Sequence, residues 1–427
     1  MNILVLGNGG REHAICWKLK HSKEVDRIFC APGNAGTASI GTNVNIKATD
    51  IKALMQFVRK EHIDLTVVGP EAPLAEGLVD EFTAEGLRVF GPTRAAAQLE
   101  TSKAFAKDFM KRHHIPTAEY EVFHAGDVAR LRTHLESCRF PIVLKADGLA
   151  AGKGVIIAQT FDEAMRNGES MLGGSAFGDA GTTLVVEEFL EGIEASVFAL
   201  TDGMRFVTLA PAQDHKRILD NDLGKNTGGM GAFAPTPHVP TEVLADVKIH
   251  VIKRVIDGMR ADGIPYSGVL FVGLMLTEDG PKVLEFNCRF GDPETQVVLP
   301  LIDYDLGVLL RDIADGKLQL NRLPLHDANA VCVVMASSGY PDAYDSGKTI
   351  AGLDSINEEK EGVLIFHAGT RAEGNRIVSA GGRVLGITAL AQGSDIAASI
   401  RLAYSAVSRI RFDGAYYRTD IGKKALL

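Results

Sequence analysis

The stretch Val283-Leu284-Glu285-Phe286-Asn287 is followed, after Cys288, by Arg289-Phe290-Gly291-Asp292-Pro293-Glu294. The apolar run predicts a β-strand, in which side chains two residues apart share one face. Glu285 and Asn287 are therefore expected to point the same way, with carboxylate and amide oxygens that suit Mg²⁺ carrying nucleotide phosphates. Arg289 continues the alternation and would add a fork of donors suited to phosphate. A solvated edge strand has the same Glu-x-Asn spacing, but the polar hexad after it favours a site.

Size and charge narrow the class of protein. A chain of 427 residues is long enough for roughly three domains, each with its own core. A hydrophobic content of 46% with 23% charged residues is ordinary for a soluble globular protein. The net charge of −9 disfavours a general nucleic-acid binder, whose surface would be basic.

Cysteine usage and targeting signals favour a cytoplasmic protein. The five cysteines are odd in number and contain no Cys-x-x-Cys pair, which favours a reducing compartment and no structural zinc. The N-terminus has no basic region followed by an apolar one, as a signal peptide would. No run of about 18 apolar residues is present, so no membrane span is expected.

The first 95 residues alternate between short apolar strands and amphipathic helices. Strands are predicted near 3–6, 27–30, 65–68 and 88–90, with helices near 12–20, 50–61 and 74–86. This alternation predicts a parallel sheet wrapped by helices. Glycine-bearing loops follow three strands, at 7–12, 31–36 and 69–74. Because ligands bind at the carboxyl ends of such strands, the loops should converge on one crevice.

The first of these loops does not match a dinucleotide site. Gly7 and Gly9 fit Gly-x-Gly-x-x-Gly, but Glu12 takes the third glycine position, and no acidic residue ends the second strand. An NAD-dependent oxidoreductase is therefore disfavoured. A glycine turn at a helix N-terminus remains, which suits a single phosphate that Arg11 would strengthen.

The middle of the chain predicts a flap over phosphates. A helical stretch at 95–120 contains Lys103 and Lys107, and strands at 141–145 and 155–157 enclose the glycine-rich segment 146–154. This hairpin is not a Walker A loop, because its glycine spacing is too short and a strand follows it. Such a hairpin can close over phosphates and exclude water. A solvated loop is the alternative.

Other polar segments are less specific. A strand, connector and strand at 184–196 could present backbone groups to a purine edge and a carboxylate to a ribose. The polar run Asp214 to Arg217 and the glycine-rich segment 226–231 lie in an apolar region, although a solvated charge run would also explain the former. From 330 onward, three strands and a helix at 394–410 predict a supporting domain without obvious chemistry.

Taken together and in this order, six segments resemble the glycinamide ribonucleotide synthetase family of the ATP-grasp superfamily: 7–14, 68–74, 145–154, 226–232, 287–296 and 366–370. The resemblance covers essentially the whole chain. Leu223 and Lys225 depart from the threonine and proline expected there, and 421–424 is also atypical. These departures bear on the rigidity of one loop and leave the metal-binding strand untouched.

The resemblance implies an α/β and α+β multidomain fold. It comprises an N-terminal parallel-sheet (pre-ATP-grasp) domain at 1–102, which binds substrate, and a two-part ATP-grasp domain at 103–325. Within the latter, a flap subdomain is expected at about 120–190. A β-rich α+β domain at 326–427 completes the chain.

The resemblance also implies a role for each residue. Lys103 and Lys145 neutralise the ATP phosphates, and Glu194 holds the ribose hydroxyls. The hinge that reads adenine consists of Glu187, Glu188, Phe189 and Leu190. The metal, Mg²⁺ with Mn²⁺ as an alternative, is bound by Glu285 and Asn287. The catalytic residues are Arg289, which stabilises the phosphoryl group in transfer, and Lys145.

Substrate contacts complete the implied site. The phosphate and ribose of phosphoribosylamine fall to Gly9, Gly10, Arg11 and Glu71. Contacts near glycine and the amine fall to Asp214, Lys216 and Asp292. The implied reaction is the ATP-dependent ligation of glycine to 5-phosphoribosylamine through glycyl phosphate, in de novo purine biosynthesis. Small-molecule substrates are the only partners expected, with no nucleic acid or membrane, and a cytoplasmic monomer is anticipated.

Two other functions stay open at this point. Another ATP-grasp carboxylate–amine ligase, or a carboxylase that uses bicarbonate, would share the nucleotide site, but the segment 289–296 disfavours it. A non-catalytic nucleotide-binding protein could keep the same fold. The intact lysines and metal-ligand pair argue against that alternative.

Overall fold

The structure is a computed structural model that describes residues 1–148, 154–173, 183–393 and 395–426. The N-terminal part contains Asn2–Gly7 (β1), Gly10–Lys20 (α1), Arg27–Pro32 (β2), Thr37–Ile40 (α2), Thr42–Asn43 (β3), Ile51–Lys60 (α3), Leu65–Val68 (β4), Glu71–Glu76 (α4), Leu78–Ala84 (α5), Val89–Phe90 (β5) and Gln98–Thr101 (α6). Its strands form a parallel sheet in the order β3-β2-β1-β4-β5, which confirms the predicted architecture.

The central strand β1 explains why this sheet needs helices on both faces. Residues Ile3 to Leu6 are all completely buried, which is the continuous apolar pattern of a parallel strand covered on both sides. The prediction of a single helix at 74–86 is wrong. The structure has two helices there, α4 and α5, which are divided at Gly77, whose φ of 86° lies in the left-handed region that ends helices.

Most strands in the middle of the chain form two four-stranded antiparallel sheets, a flap sheet and a body sheet. Its elements are Lys103–Arg112 (α7), Tyr120–His124 (β6), Val128–Ser137 (α8), Ile142–Ala146 (β7), Val155–Ala158 (β8), Phe161–Leu172 (α9), Thr183–Glu188 (β9), Ile193–Thr201 (β10), Phe206–Thr208 (β11), Gln213–Asp214 (β12), Arg217–Leu219 (β13), Leu223–Asn226 (β14), Gly231–Ala234 (β15), Thr241–Val247 (α10), Lys253–Ala261 (α11), Gly268–Thr277 (β16), Gly280–Asn287 (β17), Thr295–Val298 (α12) and Leu306–Ala314 (α13). The flap sheet has the order β6-β9-β7-β8 and the body sheet β11-β10-β16-β17.

The predicted hairpin over 141–157 exists as the antiparallel pair β7 and β8, with Lys145 opposite Val155. Helices α8 and α9 pack an apolar core against the flap sheet. Residues 149–153 of the predicted glycine-rich loop lie outside the described residues.

The last part of the chain adds Ala328–Ala336 (β18), Glu358–Glu361 (α14), Val363–His367 (β19), Thr370–Glu373 (β20), Arg376–Ser379 (β21), Arg383–Gln392 (β22) and Ile396–Val407 (α15). Its main sheet has the order β12-β15-β18-β22-β19 and therefore recruits two strands from before residue 235. The predicted domain boundary at 325 therefore separates strands that belong to the same sheet. No helix in the described part of the chain is both long and apolar enough to cross a membrane.

Asn34 joins the N-terminal loops to the C-terminal sheet. Its side-chain amide donates to the carbonyls of Asn8 at 2.9 Å and of His367 at 2.8 Å, and its Oδ1 accepts from the Gly36 amide at 2.8 Å. The His367 amide in turn donates to Nδ1 of His13 at 2.8 Å. These bonds fix the glycine loop after β1 against β19.

Asn34→Ala should therefore lower the free energy of unfolding by about 2 kcal/mol or more, since each buried carbonyl left without a donor costs roughly 1–3 kcal/mol. Urea denaturation followed by circular dichroism measures the change. Asn45→Ala is the control, because Asn45 is exposed. Equal stability of the two variants would show that Asn34 does not hold this junction.

Candidate functional site

Strand β17 places the predicted metal ligands on one face. It pairs antiparallel with β16, with Glu285 opposite Gly273 and Asn287 opposite Phe271. A register shift at Gly273 leaves Leu284 as an extra residue, which is a β-bulge. The freed carbonyl of Leu284 accepts a hydrogen bond from Nζ of Lys145 at 3.1 Å. The bulge thus attaches a flap lysine to the strand that carries Glu285.

The electrostatic surroundings of Glu285 suit a metal ligand. The side chain of Glu285 is exposed to solvent, although protein atoms surround it closely. Burial alone would raise the pKa of Glu285, but four cations outweigh burial and hold the pKa below its ordinary value: Lys216, Lys145, Lys103 and Arg289. The carboxylate is therefore ionised at neutral pH and ready to bind a cation.

The donor set around Glu285 fits Mg²⁺ better than a metal that needs a full protein cage. Within the described ranges, no group of three or more His, Cys, Asp or Glu residues is arranged to hold a metal ion. The strand offers one carboxylate, from Glu285, and one amide oxygen, from Asn287. Mg²⁺ commonly binds through one or two protein oxygens and completes its shell with water and phosphates.

Arg289 is held by carboxylates from the N-terminal part of the chain. Its Nη2 lies 3.0 Å from Oε1 of Glu100 and 3.1 Å from Oδ1 of Asn287, and its Nε lies 3.5 Å from Oε2 of Glu71. Burial would lower the pKa of Arg289, but Glu100 and Glu71 raise it above its ordinary value. The guanidinium is thus fixed beside the metal pair.

Glu100 was not predicted as a site residue. It lies in the short helix α6, and its Oε2 accepts from the Cys288 amide at 2.6 Å. Burial raises the pKa of Glu100, while Arg289 opposes that rise. Only its position in space reveals this role, because no local pattern connects it with a strand almost 190 residues later.

Lys145 of the flap and Lys107 of α7 converge on one carboxylate, that of Glu187. Lys145 Nζ lies 2.8 Å from Oε1 of Glu187, and Lys107 Nζ lies 2.9 Å from Oε2. Lys103 donates from its Nζ to the Gly148 carbonyl at 2.9 Å, at the start of the glycine-rich loop. The predicted phosphate lysines, Lys103 and Lys145, therefore lie together. Lys107, for which no role was predicted, lies beside them. The expected bond from Glu187 to the adenine amino group stays a prediction.

The hinge after β9 has an apolar floor beside it. Leu190 is 7% exposed and packs in a cluster with Ala118, Met275 and Leu284. The side chain of Glu188 is not part of this cluster, because its Oε1 accepts a hydrogen bond from the Glu119 amide at 3.0 Å. A flat purine ring could lie on this floor against the hinge backbone, which is the assignment made for 187–190.

Asp214 and Lys216 face Glu194 across the same crevice. Lys216 donates to Oε2 of Glu194 at 2.7 Å. Burial would lower the pKa of Lys216, but Glu194, Asp214 and Glu285 raise it well above its ordinary value. Burial raises the pKa of Asp214 to about 7, with nearby carboxylates adding to the shift and Lys216 opposing it. His215 between them is completely buried, so this segment is not a solvated charge run.

The first glycine loop is closely packed. The Gly9 amide donates to Oε2 of Glu12 at 2.6 Å, and a Cβ at Gly9 would lie 2.9 Å from that oxygen. Arg11 donates from Nε to Glu12 at 2.6 Å and from Nη1 to the Phe290 carbonyl at 3.0 Å. Arg11 is only 8% exposed, so its guanidinium braces the loop against the segment after β17.

Asp292 links three parts of the chain. Its Oδ2 accepts from the Arg11 amide at 3.3 Å, and its Oδ1 accepts from Nε2 of Gln296 at 2.8 Å. Arg383, from β22, lies 3.3 Å from the same Oδ1 and also donates to the Gly229 carbonyl. Burial would raise the pKa of Asp292, but Arg383 and Arg11 keep it below its ordinary value. Arg383 is a further residue that the sequence did not indicate.

The departures Leu223 and Lys225 lie away from this crevice. Both belong to β14, whose residues are all exposed. Leu223 is 61% exposed, and Lys225 donates to Oδ2 of Asp342 at 2.6 Å. A surface ion pair thus stands in the loop where the resemblance led us to expect proline.

A crevice between two antiparallel sheets, with Lys103, Lys145 and a Glu-x-Asn strand facing it, defines an ATP-grasp enzyme. The fold is shared with the biotin carboxylase domain of a 2-oxoglutarate carboxylase from Hydrogenobacter thermophilus, at 17% identity and a TM-score of 0.72 over 97% of this chain and 91% of that one. At that identity the likeness establishes the fold alone.

The chain belongs to the phosphoribosylglycinamide synthetase family. Models of the family's N domain, ATP-grasp (A) domain and C domain match residues 1–100, 101–295 and 330–424. The chain is 52% identical to a phosphoribosylamine–glycine ligase of Chlorobaculum tepidum, over 100% of both chains. It also matches the crystal structure of the phosphoribosylamine–glycine ligase of Thermotoga maritima, with 34% identity, a TM-score of 0.85 and coverage of 98% and 100%.

Asp214→Asn should stabilise the protein at pH 8 relative to the wild type, with an advantage that disappears near pH 4. The folded pKa of about 7 is above the ordinary value of 3.8, so the folded state binds the proton more tightly. Wild-type stability attributable to Asp214 is therefore full below about pH 4, falls as the pH rises to 7, and stays low above it.

Thermal unfolding of both proteins between pH 4 and pH 8 measures this difference. Asp279→Asn is the control, because Asp279 is exposed on the turn between β16 and β17. An Asp214→Asn profile parallel to that of the wild type would refute the assignment of a raised pKa to this group.

Proposed function

We propose that this chain catalyses the ATP-dependent ligation of glycine to 5-phosphoribosylamine, giving glycinamide ribonucleotide, ADP and phosphate in de novo purine biosynthesis. The observation that carries the proposal is the meeting of Glu285, Asn287 and Arg289 with Lys103 and Lys145, in a chain 52% identical along its length to a phosphoribosylamine–glycine ligase. Each residue role below belongs to this proposal.

The first step activates a poor electrophile. A carboxylate oxygen of glycine attacks the γ-phosphorus of ATP, the bond to the ADP oxygen breaks, and glycyl phosphate forms. Such a transfer needs positioning and charge neutralisation more than covalent help. Lys103, Lys145 and Arg289 supply positive charge from three directions. A Mg²⁺ held by Glu285 and Asn287 would neutralise further phosphate charge.

The second step forms the amide. The amine nitrogen of 5-phosphoribosylamine attacks the acyl carbon of glycyl phosphate, and the bond from that carbon to the phosphate oxygen breaks. The nitrogen must lose a proton, and a carboxylate with a pKa near 7 is suited to accept it. Asp214, with a pKa of about 7, is the candidate on this wall of the crevice. Gly9, Gly10, Arg11 and Glu71 are assigned to the phosphate and ribose of phosphoribosylamine.

Water must be kept from the acyl phosphate between the two steps. The hairpin of β7 and β8 stands over the crevice and is tied to β17 through Lys145. Exclusion of water by such a flap prevents hydrolysis of a reactive intermediate. No serine or cysteine nucleophile is required, since the activated group is carried as a mixed anhydride.

The test is an omission assay with ATP, glycine and freshly made phosphoribosylamine. Formation of glycinamide ribonucleotide and stoichiometric ADP should require all three. Bicarbonate in place of glycine is the control for a carboxylase. ADP release that depends on bicarbonate and not on glycine would overturn the proposal, as would a protein that binds ATP without turnover.

Finer points of the proposal concern metal, assembly and location. Mn²⁺ should replace Mg²⁺, because both accept oxygen ligands. A monomer is expected, since one chain supplies all the site residues named above; gel filtration checks this. A cytoplasmic location agrees with five cysteines that form no disulfide.

Glu285→Ala should lower glycine-dependent ADP release by at least about a hundredfold while leaving the fold intact, because it removes the only carboxylate of the metal pair. Steady-state ADP release and circular dichroism measure the two effects. Glu278→Ala, on the exposed turn before β17, is the matched control. A Glu285→Ala variant with near-normal turnover would rule out the metal role.

Glu71→Ala should raise the KM for phosphoribosylamine about tenfold, or about 1.4 kcal/mol, with far less effect on the KM for ATP. Glu71 is half-buried in the first turn of α4 and contacts Arg289, so it faces the N-terminal side of the crevice. Glu76→Ala on the same helix is the control, because Glu76 is exposed. Equal increases in both KM values would undo the ribose assignment.

A further inference from the structure

Lys107 is a buried cation to which the mechanism above gives no role. It lies on α7 and is only 2% exposed. Its Nζ donates to Oγ1 of Thr117 at 2.8 Å and lies 2.9 Å from Oε2 of Glu187. Burial lowers the pKa of Lys107 to about 8, against the pull of Glu187. A charged group this deeply buried is uncommon unless it is paired.

Both lysines that share Glu187 are anchored to the metal-binding strand. Oγ1 of Thr117 donates to the carbonyl of Val283 at 2.6 Å, and Lys145 donates to the carbonyl of Leu284 at 3.1 Å. Lys107 is therefore connected to one residue of β17 through Thr117, and Lys145 is connected directly to the next. The carboxylate of Glu187 closes the ring between the two lysines.

The two contacts to Glu187 differ in how readily they can be broken. Lys145 is the more accessible lysine, at 11% side-chain exposure against 3% for Lys107. Although Lys145 Nζ is 2.8 Å from Oε1 of Glu187, that oxygen has no hydrogen-bond partner of good geometry in the described part of the chain. The Lys145 contact to Glu187 is thus the more exposed of the two and an ion pair without good hydrogen-bond geometry, while Lys145 and Lys107 each keep a second partner, the Leu284 carbonyl and Thr117.

We propose that Lys107 is a positioning residue that keeps the charge of Glu187 compensated, so that Lys145 can leave Glu187 and turn to the nucleotide phosphates. This inference rests on the proposed function, in which ATP occupies the crevice. Two ammonium groups share one carboxylate, so one positive charge is available to an incoming phosphate. Without Lys107, withdrawal of Lys145 would leave a buried, unpaired carboxylate, which is strongly unfavourable.

Lys107→Met should therefore weaken ATP binding by at least about tenfold and adenosine binding by less than about threefold, because adenosine brings no phosphate to draw Lys145 away. Titration calorimetry with Mg²⁺ and without glycine measures both dissociation constants in the absence of turnover. Lys111→Met, on the exposed face of the same helix, is the matched control and should change neither.

A second substitution separates positioning from packing. In Glu187→Gln the carboxylate is gone, so adding Lys107→Met should change the ratio of the ATP and adenosine dissociation constants by less than about twofold. Using this ratio cancels any contribution of Glu187 to adenine binding. Lys107→Gln keeps a donor for Thr117 but no charge, should show the same selective loss as Lys107→Met, and replaces that variant if it does not fold.

The outcomes are distinct. Equal weakening of ATP and adenosine by Lys107→Met or Lys107→Gln would overturn the inference and leave Lys107 a packing residue. The same would follow from an undiminished selective loss in the Glu187→Gln background. Wild-type protein that binds no ATP would instead overturn the proposed function, and that result is seen before any variant is made.

Discussion

Charge compensation around β17 is the constraint on which the site depends. Glu285 lies among cations, and three of these already have carboxylate partners: Lys145 has Glu187, Lys216 has Glu194, and Arg289 has Glu100. Breaking such partly buried pairs is costly unless a new anion takes the place of the old one. A nucleoside triphosphate with its metal supplies such an anion, whereas water does not.

The same constraint explains why distant parts of the chain meet at one strand. Glu71 and Glu100 come from the N-terminal part, the flap brings Lys145, and β22 brings Arg383 to Asp292. The C-terminal sheet is thus more than a support, since its Arg383 holds the segment that follows β17. The glycine loop after β1 and the segment after β17 are fixed to each other through Arg11 and Asp292.

Local patterns predicted the elements well, because apolar periodicity is a property of neighbouring residues. The parallel N-terminal sheet, the β7–β8 hairpin and the strand with Glu285 and Asn287 all follow from such patterns. The roles of Lys107, Glu100 and Arg383 could not be found in this way, since each meets its partner only after folding. The pairing of β15 with β18 is equally non-local, and the break at Gly77 depends on a left-handed backbone inside an otherwise helical pattern.

The most direct test of carboxylate activation in this crevice follows oxygen atoms. Glycine labelled with ¹⁸O in its carboxylate is converted with ATP and phosphoribosylamine, and the released phosphate is examined by mass spectrometry. The oxygen that attacks the γ-phosphorus leaves with phosphate when the amide forms, so we expect each phosphate to carry a single ¹⁸O. Phosphate without label, formed together with glycinamide ribonucleotide, would contradict a glycyl phosphate intermediate.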